Sequence, residues 1–344
     1  MNEADQRRYA LESWAIEQLC RLSPELSGTG QEPTFSTVSG DASFRRYFRL
    51  TQKENNSAFV RITELLRRHD VTVPEVLSFD LNQGFLLVTD LGDALFLNRV
   101  NAENAADHYH QALTLLSDIQ GVPHIELSFL PRYTADVLQQ EMDLFEAWFL
   151  PQYLQITPGP TTLTLLQTLY GKLVDSALSQ PQVLVHRDYH SRNLMWRNQT
   201  LVPIDYQDAL LGPITYDVVS LLRDSYVRWP RQQVQAWLMH YADRVAALGF
   251  CERPTNDVWL QWVDWMGLQR QIKICGVFAR LYLRDGKTNY LQNIPLTVRY
   301  LLEVSIRYPE TQPFAHFLED QVLPALYRVS PEARAVIEAR VVED

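Results

Sequence analysis

The sequence predicts an α+β protein of two lobes: a small N-terminal lobe on short antiparallel strands, residues 1–90, and a large helical C-terminal lobe, residues 91–344. Three observations lead there. A chain of 344 residues, 46% of them hydrophobic, is long enough for about two compact cores. Short apolar runs bounded by turn residues cluster between Thr34 and Thr89 and again between Gln182 and Ile204. From Asn101 onward most remaining segments carry apolar residues at helical spacing.

The bulk properties narrow the function classes. A net charge of −10 argues against a nucleic-acid binder or a membrane-surface protein, both of which need a basic face. Cys20, Cys251 and Cys275 are too far apart in sequence for a metal cluster and odd in number, which fits free thiols in a reducing compartment. No apolar run reaches the ~18 residues of a membrane span. Charges run through the first 25 residues, so no secretory leader is expected and the protein is expected in the cytoplasm.

In chain order, Glu3 to Leu22 places Leu11, Trp14, Ala15, Leu19 and Leu22 on one helix face, expected to pack on the first lobe. Thr34 to Leu50 alternates as two strands joined by Ser39-Gly40-Asp41-Ala42-Ser43, small residues that let backbone N–H groups approach an anion. Arg45 and Arg46 follow on opposite faces. Thr51 to Asn56 is short and polar where a third strand would fit, and Lys53 there reads as a solvated lysine. Ala58 to Asp70 is a helix with Ile62, Leu65 and Leu66 on one side and Arg61, Arg67 and Arg68 on the other; Glu64 reads as an exposed glutamate. Val73 to Phe79 and Phe85 to Thr89 form a strand pair around Asn82-Gln83-Gly84, running into Asp90-Leu91-Gly92.

In the second lobe, Ala105 to Ile119, Tyr133 to Leu150 and Thr162 to Leu178 are helices. His108 and His110 are two apart and point in different directions, so they are not a zinc-helix pair. The stretch from Gln182 to Asp224 then concentrates acid, amide and imidazole between apolar runs. Val183-Leu184-Val185 is a buried strand delivering His186, Arg187 and Asp188 into a loop. Leu194 to Trp196 and Leu201 to Ile204 flank Asn198-Gln199-Thr200 as a hairpin; a turn centred at Gln199 sets Asn193 opposite Asp205.

That spacing, His-x-Asp-x-x-x-x-Asn and then apolar-apolar-Asp after a tight hairpin, points to phosphoryl transfer. Opposed side chains on an antiparallel pair lie ~4.5–5.5 Å apart, so Asn193 and Asp205 can share one hard cation. One carboxylate and one amide oxygen suit Mg²⁺, while Asp188 orients the attacking hydroxyl. Arg192 is a candidate charge stabiliser for the transferring group. Asp208 sits near the ligands without completing them, and Asp217 is expected to cap the following helix and brace the loop. Eleven residues between Asp205 and Asp217 leave no room for the long phosphorylated segment of regulated protein kinases, so a small-molecule acceptor is expected.

HRDYHSRN followed by IDYQD resembles the aminoglycoside phosphotransferase and choline kinase group, and GPITYDVVSLLRDSYVRWP with SGDASFRRYFRL resembles its branch of anomeric amino-sugar kinases of cell-wall recycling. The resemblance spans Phe35 to Trp229. It implies a protein-kinase-like fold and ATP with Mg²⁺ as cofactors; the short polar Thr51 to Asn56 departs from the family pattern and leaves the N-terminal lobe one strand short. It implies a nucleotide-covering turn at Gly40, Asp41, Ala42, Ser43 and Phe44, hinge contacts at Asp90 and Leu91, and His186 as a structural group behind Asp188. The implied reaction is transfer of the γ-phosphoryl group to the 1-hydroxyl of N-acetylmuramate or N-acetylglucosamine. Its implied partners are the small sugar and ATP, with no nucleic acid, membrane or obligate protein partner. A choline-type or aminoglycoside acceptor, and a nucleotide-binding pseudokinase, are the alternatives.

After Pro230 the chain is expected to be helical: Gln233 to Leu248, Asp257 to Leu283, Leu296 to Tyr308, Phe314 to Tyr327 and Glu332 to Val341. Trp259, Trp262 and Trp265 share a broad face that is either core or the wall of a sugar pocket, with Gln269, Arg270, Gln271 and Lys273 near it. Arg280 and Arg284 are candidates for a lactyl carboxylate.

Overall fold

In a computed structural model of the chain the described residues are 3–22, 39–40, 46–47 and 56–339. The chain divides into two compact units, Met1–Gly92 and Asp93–Asp344. In the first, α1 (Glu3–Leu22) precedes β1 (Ser39–Gly40) and β2 (Arg46–Tyr47), which pair antiparallel with Gly40 opposite Arg46. Ser39 and Gly40 thus belong to a strand. Asp41, Ala42, Ser43, Phe44, Arg45, Lys53 and the segment expected to lack a strand lie outside the described residues.

Helix α2 (Asn56–Arg68) buries Phe59, Val60, Ile62, Leu65 and Leu66 and exposes Arg61, Glu64, Arg67 and Arg68, as its spacing predicts. Strands β3 (Val76–Asp80) and β4 (Phe85–Val88) form a hairpin whose turn is tied by Asp80, which accepts from the backbone N–H groups of Asn82 (2.9 Å) and Gln83 (3.0 Å). Gly84 supplies the left-handed conformation that ends this turn, φ 71°. Helix α1 packs on the hairpin through Leu11 and Phe85, with the Trp14 ring 5.6 Å from that of Phe85.

The second unit is helical around two small strand pairs. Helices α3 (Ala105–Gln120), α4 (Ala135–Leu144) and α5 (Pro160–Ser179) come first. Helix α4 runs on through a wide turn, Phe145–Tyr153, which contains Pro151. A proline has no N–H to donate and crowds the preceding turn, and widening accommodates it without a break. The long helix expected from Tyr133 to Leu150 therefore changes type halfway.

Strands β5 (Gln182–Val185), β6 (Leu194–Arg197), β7 (Thr200–Pro203) and β8 (Leu210–Pro213) follow. β6 and β7 form the expected hairpin, but Leu194 faces Pro203 and Arg197 faces Thr200. The turn is Asn198–Gln199 alone, both at positive φ (47° and 63°), the two-residue geometry that suits strand twist. This moves the register by one, so Asn193 accepts from the Ile204 N–H (2.9 Å) and Asp205 is one residue further on. Strand β8, absent from the sequence reading, pairs with β5.

Helix α6 (Tyr216–Leu222) leads to α7 (Arg231–Ala247) and the long α8 (Asn256–Asp285), then α9 (Ile294–Ser305), α10 (Gln312–Phe317), α11 (Leu323–Val329) and α12 (Ala333–Glu338). Helix α8 is the spine of this unit, packing against α4, α5, α6 and α9. Trp259 is fully buried, its Nε1 donating to the Leu238 carbonyl (3.0 Å), while Trp262 and Trp265 are half-buried. The first tryptophan of the stripe is core. No helix among the described residues is long and apolar enough to cross a membrane.

Where α8 crosses the end of α4, Gly276 has no side chain to spare: a Cβ there would lie 2.4 Å from the Leu144 carbonyl carbon. Overpacking against backbone cannot relax by a rotamer change. Gly276→Ala is therefore expected to destabilise the fold by about 1–3 kcal/mol. Urea unfolding checks this, and an unchanged midpoint would mean the crossing has slack.

Candidate active site

The polar loop between β5 and β6 is held from below by one buried carboxylate. Asp217, in the first turn of α6, accepts from the backbone N–H groups of His186 (2.7 Å) and Arg187 (3.1 Å). The N-cap position belongs to Thr215, so Asp217 braces the loop and does not cap its helix. Arg187 is bent to φ 75°, unusual for a residue with a side chain. Tyr189 turns inward, its hydroxyl donating to the Ala112 carbonyl (2.7 Å), and the Ser191 N–H donates to Asp224 (2.9 Å). With those residues pinned, Asp188 and Asn193 come together: the Asn193 Nδ2 donates to the Asp188 carbonyl (3.0 Å).

Asp205 joins this pair through the Ile204 backbone and itself sits at φ 67°. Its Oδ1 accepts from the Gln207 side chain (3.0 Å), which also donates to Asp208 (3.2 Å). The Asn193 amide spends its N–H on the loop and leaves Oδ1 as an acceptor, one residue across the hairpin from Asp205. Two oxygen donors of this kind suit Mg²⁺, which keeps several waters. Among the described residues no cluster of three or more His, Cys, Asp or Glu side chains offers a metal site.

A second buried carboxylate organises the charges. Glu141 on α4 receives Arg187 (2.5 Å), Lys273 from α8 (2.8 Å), the Gln269 amide (3.1 Å) and the Tyr133 hydroxyl. Burial alone would raise its carboxyl, but Lys273 and Arg187 outweigh that and hold it down at about 2. Burial likewise works against ionised Asp188, and Lys273, then His190, His186 and Arg187, hold its pKa below the usual range. Asp188 is thus kept as a carboxylate able to accept a proton or a hydrogen bond. His186 is pushed the other way: burial lowers its imidazole to about 4, although Asp188 opposes the shift. It is neutral at pH 7 and cannot serve there as an acid, which suits the structural role expected for it.

The structure brings Asp188, Asn193 and Asp205 into one connected loop system. Arg192 is half-buried with its guanidinium 4.8 Å over the Tyr226 ring. Gly40 pairs in β1–β2, the Asp90 carboxylate accepts from the Gly92 N–H (2.9 Å), and Leu91 is half-buried. Gln269 and Lys273 belong to the Glu141 network, and Gln271 donates to the Arg223 carbonyl (2.9 Å). Arg284 pairs with Asp285 (2.7 Å). Glu141 and Asp224 were not foreseen, because nothing in an isolated helical glutamate or a post-helix aspartate distinguishes a buried brace from a solvated side chain.

The fold and this loop define a kinase-like phosphotransferase. The chain resembles an ADP-bound aminoglycoside phosphotransferase, with a TM-score of 0.51 at 15% identity over 83% of this chain and 98% of that one. A choline kinase of Streptococcus pneumoniae has a TM-score of 0.55 at 12% identity, over 86% of this chain and 99% of that one. The chain belongs to the phosphotransferase enzyme family, whose model matches residues 30–251. Its relatives include the N-acetylmuramate/N-acetylglucosamine kinase of Pseudomonas putida, 38% identical over 90% of this chain and 95% of that protein. The kinase of the same name from Neisseria meningitidis is 34% identical over 92% and 96%.

Two outcomes test the electrostatics. Glu141→Ala leaves Arg187 and Lys273 buried without their shared partner, and is expected to cost about 3–5 kcal/mol in unfolding free energy; a loss under ~1 kcal/mol would show the network to be dispensable. The depressed pKa of His186 makes its contribution complete above its ordinary 6.5 and lost as pH falls through about 4. Asp217, raised to about 7 chiefly by burial, acts in the opposite sense: its contribution is full below 3.8 and is lost as pH rises through about 7. His186→Gln should therefore remove an acid-side loss on the order of 3 kcal/mol. Stability measured from pH 7 to 4 in both proteins decides this, parallel profiles counting against a buried neutral imidazole.

Proposed function

We propose that this protein is an ATP- and Mg²⁺-dependent kinase that transfers the γ-phosphoryl group to the anomeric 1-hydroxyl of N-acetylmuramate and N-acetylglucosamine, a cytoplasmic reaction of peptidoglycan recycling. One observation carries the chemistry: Asp188, Asn193 and Asp205 are joined within one braced loop system. The amino-sugar acceptor is supported by relatives of that name matching nine-tenths of the chain at 34–38% identity.

Asp188 orients the sugar hydroxyl and takes its proton as the bond to phosphorus forms, a role its ionised state permits. Asn193 Oδ1 and the Asp205 carboxylate would hold Mg²⁺, which neutralises charge on the nucleotide phosphates when bound. Arg192 offers a cation to the transferring group. On the sequence resemblance, Gly40, Asp41, Ala42, Ser43 and Phe44 cover the nucleotide and the Asp90 and Leu91 backbone reads its base. Lys273 and Arg187 keep Asp188 charged and placed without touching the acceptor.

Asp188→Asn is expected to lower sugar 1-phosphate formation by about 10²–10⁴-fold while nucleotide binding persists. Asp205→Ala, in contrast, should weaken Mg²⁺-nucleotide binding directly. Product formation and nucleotide titration on both variants separate the roles; full turnover by the Asp188 variant would sink the assignment.

A further inference from the structure

We propose that a cavity beside the candidate active site, walled by α7, α8, α9 and the segment 223–229, receives the carboxylate of an acidic amino sugar and so selects the lactyl-bearing acceptor; this rests on the proposed function. The cavity has a volume of about 130 Å³, room for several waters or a short carboxylate-bearing group. Arg223, Arg228, Arg231 and Arg307 line it against two acids, Asp264 and Glu303.

Both acids are already taken. Buried Asp264 accepts from Arg223, from Arg307 (3.2 Å) and from the Tyr308 hydroxyl (2.7 Å). Glu303 holds Arg228 in a two-pronged pair (3.0 and 2.7 Å) and also receives Arg299 (2.8 Å). Arg231 adds a fifth guanidinium with no carboxylate partner among the described residues, so five positive groups share two negative ones. Burial lowers the Arg307 pKa, and nearby Arg223 and Arg231 push it the same way against Asp264. Donors are left over too: Arg223 is only 7% exposed, and its Nη1 and the Arg228 Nε have no hydrogen-bond partner. A partly desolvated surplus of guanidinium groups is costly until an anion joins it.

This concentration stands out on a chain of net charge −10. Its place is informative as well. Asp224 anchors Ser191, and the Tyr226 ring lies 5.4 Å from His190 and 4.8 Å under Arg192. Arg228 is two residues past Tyr226, at most ~7 Å along the chain. The cavity thus adjoins the loop on which the acceptor hydroxyl must sit. N-acetylmuramate differs from N-acetylglucosamine by a 3-O-lactyl ether, and hence by one carboxylate. Arginine forks match a carboxylate in shape and charge, whereas a neutral sugar makes no use of the surplus. Trp229, Tyr300 and Tyr308 supply apolar faces against which the lactyl methyl can lie.

The test is steady-state kinetics of the full-length protein and its Arg231→Gln and Arg307→Gln variants on both sugars, with ATP and Mg²⁺. The ratio of the KM for N-acetylmuramate to that for N-acetylglucosamine should rise by about tenfold or more in each variant, with a smaller change in kcat. Arg231 is exposed and unpaired, so its variant decides the matter alone if the Arg307 change disturbs folding. An unmoved ratio, both KM values shifting alike or not at all, overturns the cavity assignment. So does a wild-type protein that phosphorylates only N-acetylglucosamine. A folded wild type inactive on both sugars overturns the proposed function itself, and does so before any variant is made.

Discussion

The double hydrogen bond from the His186 and Arg187 backbone to Asp217 is the contact on which the loop depends. It joins the end of β5 to the first turn of α6 and fixes the chain where Arg187 takes a left-handed conformation. That bend turns the following residue, Asp188, away from the strand direction. A β-strand alternates its side chains, and without the bend Asp188 would continue that alternation. Strain at a residue of this kind persists because several partners over-determine it.

The other partners come from distant helices. Arg187 reaches Glu141 on α4, and Lys273 on α8 meets the same carboxylate and the Tyr216 hydroxyl (3.0 Å). Three helices therefore converge beneath one loop. Each buried charge there is tolerable because the others are present, and the surplus cation of the cluster lowers the Asp188 pKa. Bracing and electrostatic tuning are carried out by the same groups. The arginine cavity repeats this logic with the opposite balance, leaving positive charge in excess, which favours an anionic ligand over a closed network.

Much of this was legible in the residues. The faces of α2, the β3–β4 hairpin and the spacing of Asp188, Asn193 and Asp205 follow from local periodicity and turn chemistry, which act over a few residues. The hairpin register was displaced by one because Asn198–Gln199 makes a two-residue turn, and side-chain pattern alone does not say which residues of Asn-Gln-Thr occupy it. Strand β8 was missed for a different reason. Leu210 to Pro213 is too short to announce itself, and it becomes a strand by pairing with β5 across the intervening hairpin. Gln269 and Lys273 lie near the tryptophan stripe in sequence, and their meeting with Glu141 depends on how α8 rotates against α4.

By itself the sequence determined the two-lobe α+β class, the hairpin that presents the polar loop, and the Asp188, Asn193 and Asp205 spacing on which the proposed chemistry rests, because each is written in spacing along a few turns or strands. Only the tertiary structure decided which carboxylates are braces. Asp217 and Glu141 are buried beneath the loop, and burial and charge neighbours are properties of packing between segments as far apart as Glu141 and Lys273. The arginine surplus was hidden for the same reason: Arg231 and Arg307 share a wall only because α7 and α9 meet α8 there.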